Sequence, residues 1–159
     1  MIRIITFLIL FLSSISCGFK PMYKSDGMGV ELDRLSVNFK GGITYEIKEE
    51  LKSFLSTDQE NKDYTVTIEV REEMVPVIIN ENGTVSKYQI DITLYFEVTD
   101  KFGEVIVNDE AVGFAQYDML VSEIENKDLR KQMLRSATAD AASLMITKIQ
   151  SKLSLTDDN

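Results

Sequence analysis

Cys17 is the one side chain in this sequence whose position sets up a chemistry. A thiol is a strong latent nucleophile. This one follows an apolar run, Ile4 to Leu12 (IITFLILFL), opened by the short basic head Met1-Ile2-Arg3. A lone cysteine cannot close an intrachain disulfide, so acylation or incidental placement remain as its uses. The other reactive types are poorly served. The chain has no histidine, which removes the commonest general base and the commonest transition-metal ligand. Serines and threonines therefore lack their usual activating partner. Carboxylates occur as neighbours (Glu49-Glu50, Glu72-Glu73, Asp109-Glu110, Asp157-Asp158). Adjacent residues point oppositely on a strand and do not share a helix face, so each pair reads as solvated surface. No metal-ligand spacing, phosphate-cradling glycine loop or dinucleotide fingerprint is present. The expectation is a protein that is not an enzyme and uses no metal or cofactor.

A bilayer span needs about 20 apolar residues, and Ile4 to Leu12 is too short for that. It has the dimensions of a cleaved secretory signal. Ser13, Ser14 and Ser16 then lead to Cys17. The segment resembles a bacterial lipoprotein signal, in which the cysteine becomes the acylated first residue of the mature chain. Ser14 stands where that signal prefers leucine, while Ile15 and Ser16 fit. An ordinary cleaved signal or a short uncleaved anchor is the alternative. The expected division is a signal over residues 1–16, a lipidated tether over 17–30, a folded domain over 31–155 and a disordered tail over 156–159.

At 159 residues the chain is expected to form one domain with a real core. Its formal charge is −9; without residues 1–16 it is −10, from 16 basic and 26 acidic side chains. That balance argues against nonspecific nucleic-acid binding, which needs clustered Lys and Arg. It argues equally against electrostatic docking on an anionic membrane.

Positioning elements follow from periodicity. Leu32 to Lys40 alternates, with Leu35, Val37 and Phe39 on one face, and predicts a strand broken at Gly41-Gly42. Ile43, Ile47, Leu51, Phe54 and Leu55 recur at helical spacing. Tyr64 to Val70 alternates strictly, blurs at Glu72-Glu73-Met74 and resumes over Val75 to Ile79. Pro76 cannot donate to a ladder and predicts an edge or a bulge there. Asn82-Gly83 predicts a hairpin turn. Val85 to Val98 is the strongest strand, with Tyr88, Ile90, Ile92, Leu94, Phe96 and Val98 on one face and Tyr95 on the other. An Asp100–Gly103 turn leads to a fourth strand over Glu104 to Tyr117, expected to break near Asn108-Asp109 and to weaken at Gly113. From Glu123 a long helix carries the stripe Leu134, Ala137, Ala141, Met145, Ile149 and Leu153, widened by Leu144. The order β-α-β-β-β-α predicts an α+β two-layer sandwich. Two helices would pack on one face of a four-stranded, mostly antiparallel sheet, with the other face wet.

The opening Cys17-Gly18-Phe19-Lys20-Pro21-Met22-Tyr23 is similar to the Cys-Gly-Phe-x-Pro-Leu-Tyr opening of the LptE family of lipopolysaccharide-assembly lipoproteins. The resemblance continues through the Asp100–Gly103 turn, a strand ending at Tyr117, and the Ala-rich helix. It implies a lipid-anchored outer-membrane protein facing the periplasm. Such a protein seats in the LptD β-barrel as plug and partner and helps deliver lipopolysaccharide to the surface. Family members that contact lipopolysaccharide do so through basic residues near the central hairpin, which leaves Lys87 and Arg71 as the candidates here. So acidic a domain favours the scaffold role over binding an anionic glycolipid by charge. The alternative function is an accessory lipoprotein of another envelope lipid-transport system that binds an apolar ligand.

Overall fold

The alternating stretches form four strands, β1 (Leu35–Lys40), β2 (Tyr64–Ile79), β3 (Val85–Asp100) and β4 (Val105–Asp118). The helically spaced stretches form α1 (Tyr45–Phe54) and α2 (Glu123–Asp157). This is a computed structural model that describes residues 35–55 and 63–157. Cys17, the expected signal and the expected tether lie outside the described residues. The sheet order is β1-β2-β3-β4, with β1 parallel to β2 and the other pairs antiparallel. The α1 crossover explains the parallel pair, because two parallel strands cannot be joined by a tight hairpin.

The core lies between one sheet face and the helices. Ile90, Ile92, Leu94, Phe96 and Val98 of β3 are all buried, flanked by Val66 and Ile68 of β2 and Ala111 and Ala115 of β4. Ile47 and Leu51 of α1 close it from above, together with the α2 stripe. Both hairpins turn where glycine relieves a left-handed residue: Gly83 has φ +82° and Gly103 has φ +83°. Asp100 shapes the second turn, its carboxylate accepting from the Phe102 and Glu104 N–H groups at 2.9 and 2.8 Å.

Several expectations are corrected. β2 runs unbroken through Glu72-Glu73-Met74, because Glu72 turns to the helix side and pairs with Arg130 at 3.1 Å. β4 does not break at Asn108-Asp109. Both residues pair in register with β3, and the irregularity falls between Val105 and Val107, leaving Ile106 as the extra residue. Asp109 is tolerated on the helix side because Lys148 of α2 reaches it at 3.0 Å. Gly113 is no weakness. A Cβ there would stand 2.1 Å from the Ala137 carbonyl oxygen and 2.5 Å from the Ala141 nitrogen, so the helix comes this close only over glycine. Leu144 does not widen the stripe and is exposed; Thr138 and Ala142, on the stripe's opposite flank, are buried instead. The first helix starts at Tyr45 rather than Ile43. α2 runs through Asp157.

Pro76 meets both parts of its expectation. β1 covers β2 only from Tyr64 to Glu69, so the outer side of Val70–Ile79 has no neighbour among the described residues. A register shift follows directly between Pro76 and Ile78. The sheet thus has a wide end, four strands across, and a narrow end of three. α2 starts at the narrow end and finishes at the wide one, as the Arg130–Glu72 and Lys148–Asp109 pairs fix. Leu35 and Asp157 therefore both lie at the wide end.

Candidate docking end

Two connections make up the narrow end, and each is locally self-sufficient. In the β2–β3 hairpin the Asn80 N–H donates to the Thr84 carbonyl at 2.8 Å, and the Gly83 N–H to the Asn80 carbonyl at 2.9 Å. The Asn82 side chain accepts from both the N–H and the hydroxyl of Thr84, at 3.0 and 2.7 Å. The β4–α2 connection is clamped by Asn126. Its Oδ1 accepts from the Leu120 N–H at 2.7 Å and its Nδ2 donates to the Leu120 carbonyl at 2.9 Å. Ser122 caps α2, its hydroxyl 3.4 Å from the Glu125 N–H. Ser122-x-x-Glu125 is the spacing of a capping box, and Glu123 and Glu125 place negative charge at the positive end of the helix dipole.

These well-bonded loops hold apolar side chains in water. Met74, Val75, Val77, Ile78 and Ile79 are exposed on the hairpin, and Met119, Leu120, Val121 and Ile124 on the other connection, Ile124 by 76%. Burying one such side chain is worth about 1.5–3 kcal/mol, and the clamped backbone forgoes that gain. Exposed apolar surface beyond scattered single residues is a common feature of interaction sites. Between the two connections lies a groove of about 570 Å³ walled by Met74, Tyr88, Tyr117, Met119 and Ile124, with Lys127 and Arg130 on its rim. Tyr88 and Tyr117 stack at its floor with centroids 5.9 Å apart, and the Tyr117 hydroxyl lies 3.5 Å from the Met74 sulfur. Burial pushes the Tyr117 pKa up, against the opposing pull of Arg130's charge.

Lys87 and Arg71 are not brought together. Lys87 sits in β3 near the hairpin and pairs with Asp118 at 3.3 Å. Arg71 lies six paired rows from the Ile78–Lys87 pair and is bonded to Glu73, which with Tyr95 raises its pKa further. Both cations are already partnered by side chains of this domain. The groove and its cationic rim were not singled out from the sequence. Tyr88 and Tyr117 are legible there only as core-face aromatics, and Ile124 only as a residue preceding the helical stripe. A second, smaller apolar set, Val112 and Phe114, is exposed on the solvent face of the sheet. Among the described residues, no group of three or more Cys, Asp and Glu is placed to hold a metal, and no helix is long and apolar enough to cross a membrane.

What the fold and this end define is an α+β domain whose narrow end exposes apolar side chains. Solved structures share that fold. A lipoprotein from Caulobacter crescentus CB15 matches with a TM-score of 0.66 and 16% identity, over 82% of this chain and 97% of the other. Lipoprotein B from Nitrosomonas europaea matches at 0.61 and 15%, over 76% and 84%. Rare lipoprotein B from Shewanella oneidensis matches at 0.56 and 11%, over 79% and 98%. No curated protein sequence matches the chain. The family model for LptE, lipopolysaccharide-assembly, matches residues 30–149. The chain belongs to the LptE family, and its role is in lipopolysaccharide assembly.

Proposed function

We propose that this chain is a non-enzymatic lipoprotein of the outer membrane, acylated at Cys17 and facing the periplasm. It seats in an LptD-type β-barrel as plug and assembly partner and so helps deliver lipopolysaccharide to the cell surface. In this reading residues 1–16 are a removed signal and residues 17–30 a lipidated tether to the domain. The observation that carries it is the LptE match across residues 30–149, nearly the whole folded part. The clamped apolar end supports it, since a partner's surface is what would repay the exposure of Ile79 and Ile124. Direct lipopolysaccharide contact through Lys87 and Arg71 is the less favoured part, because Asp118 and Glu73 already occupy those cations.

The test is recovery of the intact lipoprotein from detergent-solubilised outer membrane, with co-purifying proteins identified by mass. An LptD-type barrel in stoichiometric amount is expected, together with a loss of surface lipopolysaccharide when the chain is depleted. Recovery of the chain alone would overturn the barrel partnership. Mass spectrometry of the mature N-terminus checks acylation, and an unmodified Cys17 would remove the anchor. The groove of Met74, Tyr88 and Tyr117 favours one second reading, an envelope lipid-transport accessory that binds an apolar ligand. Lipid extracted with the purified domain would select it.

A further inference from the structure

An edge strand offers a row of outward N–H and C=O groups that can template another chain, so a stable fold blunts it. Along Val70–Ile79 the free side of β2 is blunted by Pro76, which has no N–H, and by the register shifts beside it. β4 has neither device beyond Ile106. Its pairing with β3 is regular from Val107 to Asp118, and no strand lies on its outer side among the described residues. The Met119 N–H donates to the Ser86 carbonyl at 2.8 Å. Bonded and non-bonded residues alternate along an antiparallel pair. The odd-numbered residues from Val107 to Tyr117 therefore address β3, and the even-numbered ones from Asn108 to Asp118 turn their backbone groups outward. Glu110 is closed off within that open row. Its N–H donates to the Asp109 carboxylate at 2.7 Å, and its carbonyl accepts from the Lys148 ammonium at 2.7 Å. Lys148 also donates to the same Asp109 oxygen at 3.0 Å, which ties the three residues into one clasp.

We propose that the Asp109–Lys148 pair is an edge guard: it occupies both outward backbone groups of Glu110 and so keeps β4 from pairing with β4 of a second copy of this chain. A charge turned inward on an edge strand is a known means of blunting the edge, and Asp109 is such a charge. The partner it excludes is a second copy, because β4 is complementary to itself. A two-fold antiparallel pairing centred on Gly113 sets Val112 against Phe114 of the second copy, and Phe114 against Val112. Both side chains are exposed on the solvent face of the sheet, and this pairing covers them. On either flank Glu110 meets Gln116, Asp109 meets Tyr117 and Asn108 meets Asp118, so no carboxylate of the strand opposes another. The same register sets the outward groups of Glu110 against those of Gln116, where the ladder would next extend. With Glu110 clasped, that ladder stops at the central Val112–Phe114 pairs.

The experiment uses the intact chain, purified in detergent, and reads self-association by analytical ultracentrifugation with thermal midpoints in parallel. It compares the parent with Asp109→Ala/Lys148→Met, which removes the clasp without leaving an unpaired charge. Lys131→Met takes one cation from the same helix at its pair with Glu46 and serves as the control. The parent and Lys131→Met are expected to stay monomeric, and the double variant to self-associate about tenfold more tightly. A photo-crosslinking residue at Phe114 is expected to give a dimer adduct in the double variant and none in the parent. Adding Val112→Lys/Phe114→Lys to the double variant sets like charges opposite each other and should return it to the monomer. In the unaltered parent, the Glu110 amide is expected to exchange hydrogen more slowly than those of Val112 and Phe114, a reading that stands even if the double variant unfolds. A parent that already dimerises, a double variant as monomeric as the parent, or equal association by Lys131→Met overturns the guard. A dimer that never crosslinks from Phe114, or a Glu110 amide as fast as its two outward neighbours, overturns it as well.

Discussion

The wide and narrow ends share three strands and one helix, yet they use apolar residues in opposite ways. At the wide end Leu51, Phe96 and Ile149 are buried between sheet and helices, and the charged intruder Asp109 is met by Lys148. At the narrow end, Ile79, Val121 and Ile124 stay in solvent although burying them would be favourable. The difference lies in cover. β1 and α1 roof only the wide half, and α2 alone cannot shield both connections at its start. Each narrow-end loop satisfies its own backbone through Asn82, Asn126 and Ser122, so nothing forces it to collapse inward. One end therefore supplies stability and the other supplies surface.

The contrast can be broken most directly by stability measurements. Phe96→Ala is expected to cost about 3–5 kcal/mol, the usual penalty for truncating a fully buried aromatic. Ile79→Ala should remain within about 0.5 kcal/mol. Urea unfolding compares the two, and similar values would erase the distinction between the ends. Gly113→Ala tests the seam where α2 crosses the sheet. About 1–3 kcal/mol of destabilisation is expected from overpacking. Ala141→Gly should fail to rescue it, because the closest clash is with the Ala137 carbonyl oxygen and not with a side chain. A full rescue would mean that the helix is held off by the methyl group alone.

Hydrogen exchange sharpens the comparison within one strand. Amides of Val70–Ile79 directed away from β3 should exchange faster than those of Tyr64–Glu69, which β1 covers. Equal protection would show a neighbour along the free edge. The smallest effect expected is a pH dependence at the wide end. The hydrogen bond from Lys148, and then that from the Glu110 N–H, hold the Asp109 pKa below its ordinary value. The folded state therefore favours the ionised form. Its stabilising contribution is complete above the unfolded carboxylate value of about 4 and is lost as pH falls through the lower folded one. Asp109→Asn should flatten that part of the acid limb in urea midpoints taken from pH 7 to pH 3, and an unchanged slope would show that the pair contributes nothing.

Much of this was legible before any fold was known. The period-two alternation of Tyr64–Val70 and Val85–Val98 and the helical stripe ending at Leu153 determined strands, helices and their buried faces, because a side chain's direction follows from backbone geometry alone. The missing histidine took the commonest general base out of the sequence. The opening around Cys17 pointed to the family. Gly113 was misread because a glycine in a strand looks like a weakness until the helix that crosses it is in place. Glu72 and Asp109 looked like interruptions because their partners, Arg130 and Lys148, lie 58 and 39 residues away. The exposed apolar end was invisible for the same reason. Ile79 and Ile124 are far apart in the chain, and each reads as an ordinary apolar residue. Whether such a residue ends in the core or in solvent depends on which strands and helices cover it. Local pattern determined what each segment is, and only the tertiary packing, with β1 paired along just part of β2, decided which apolar residues stay exposed.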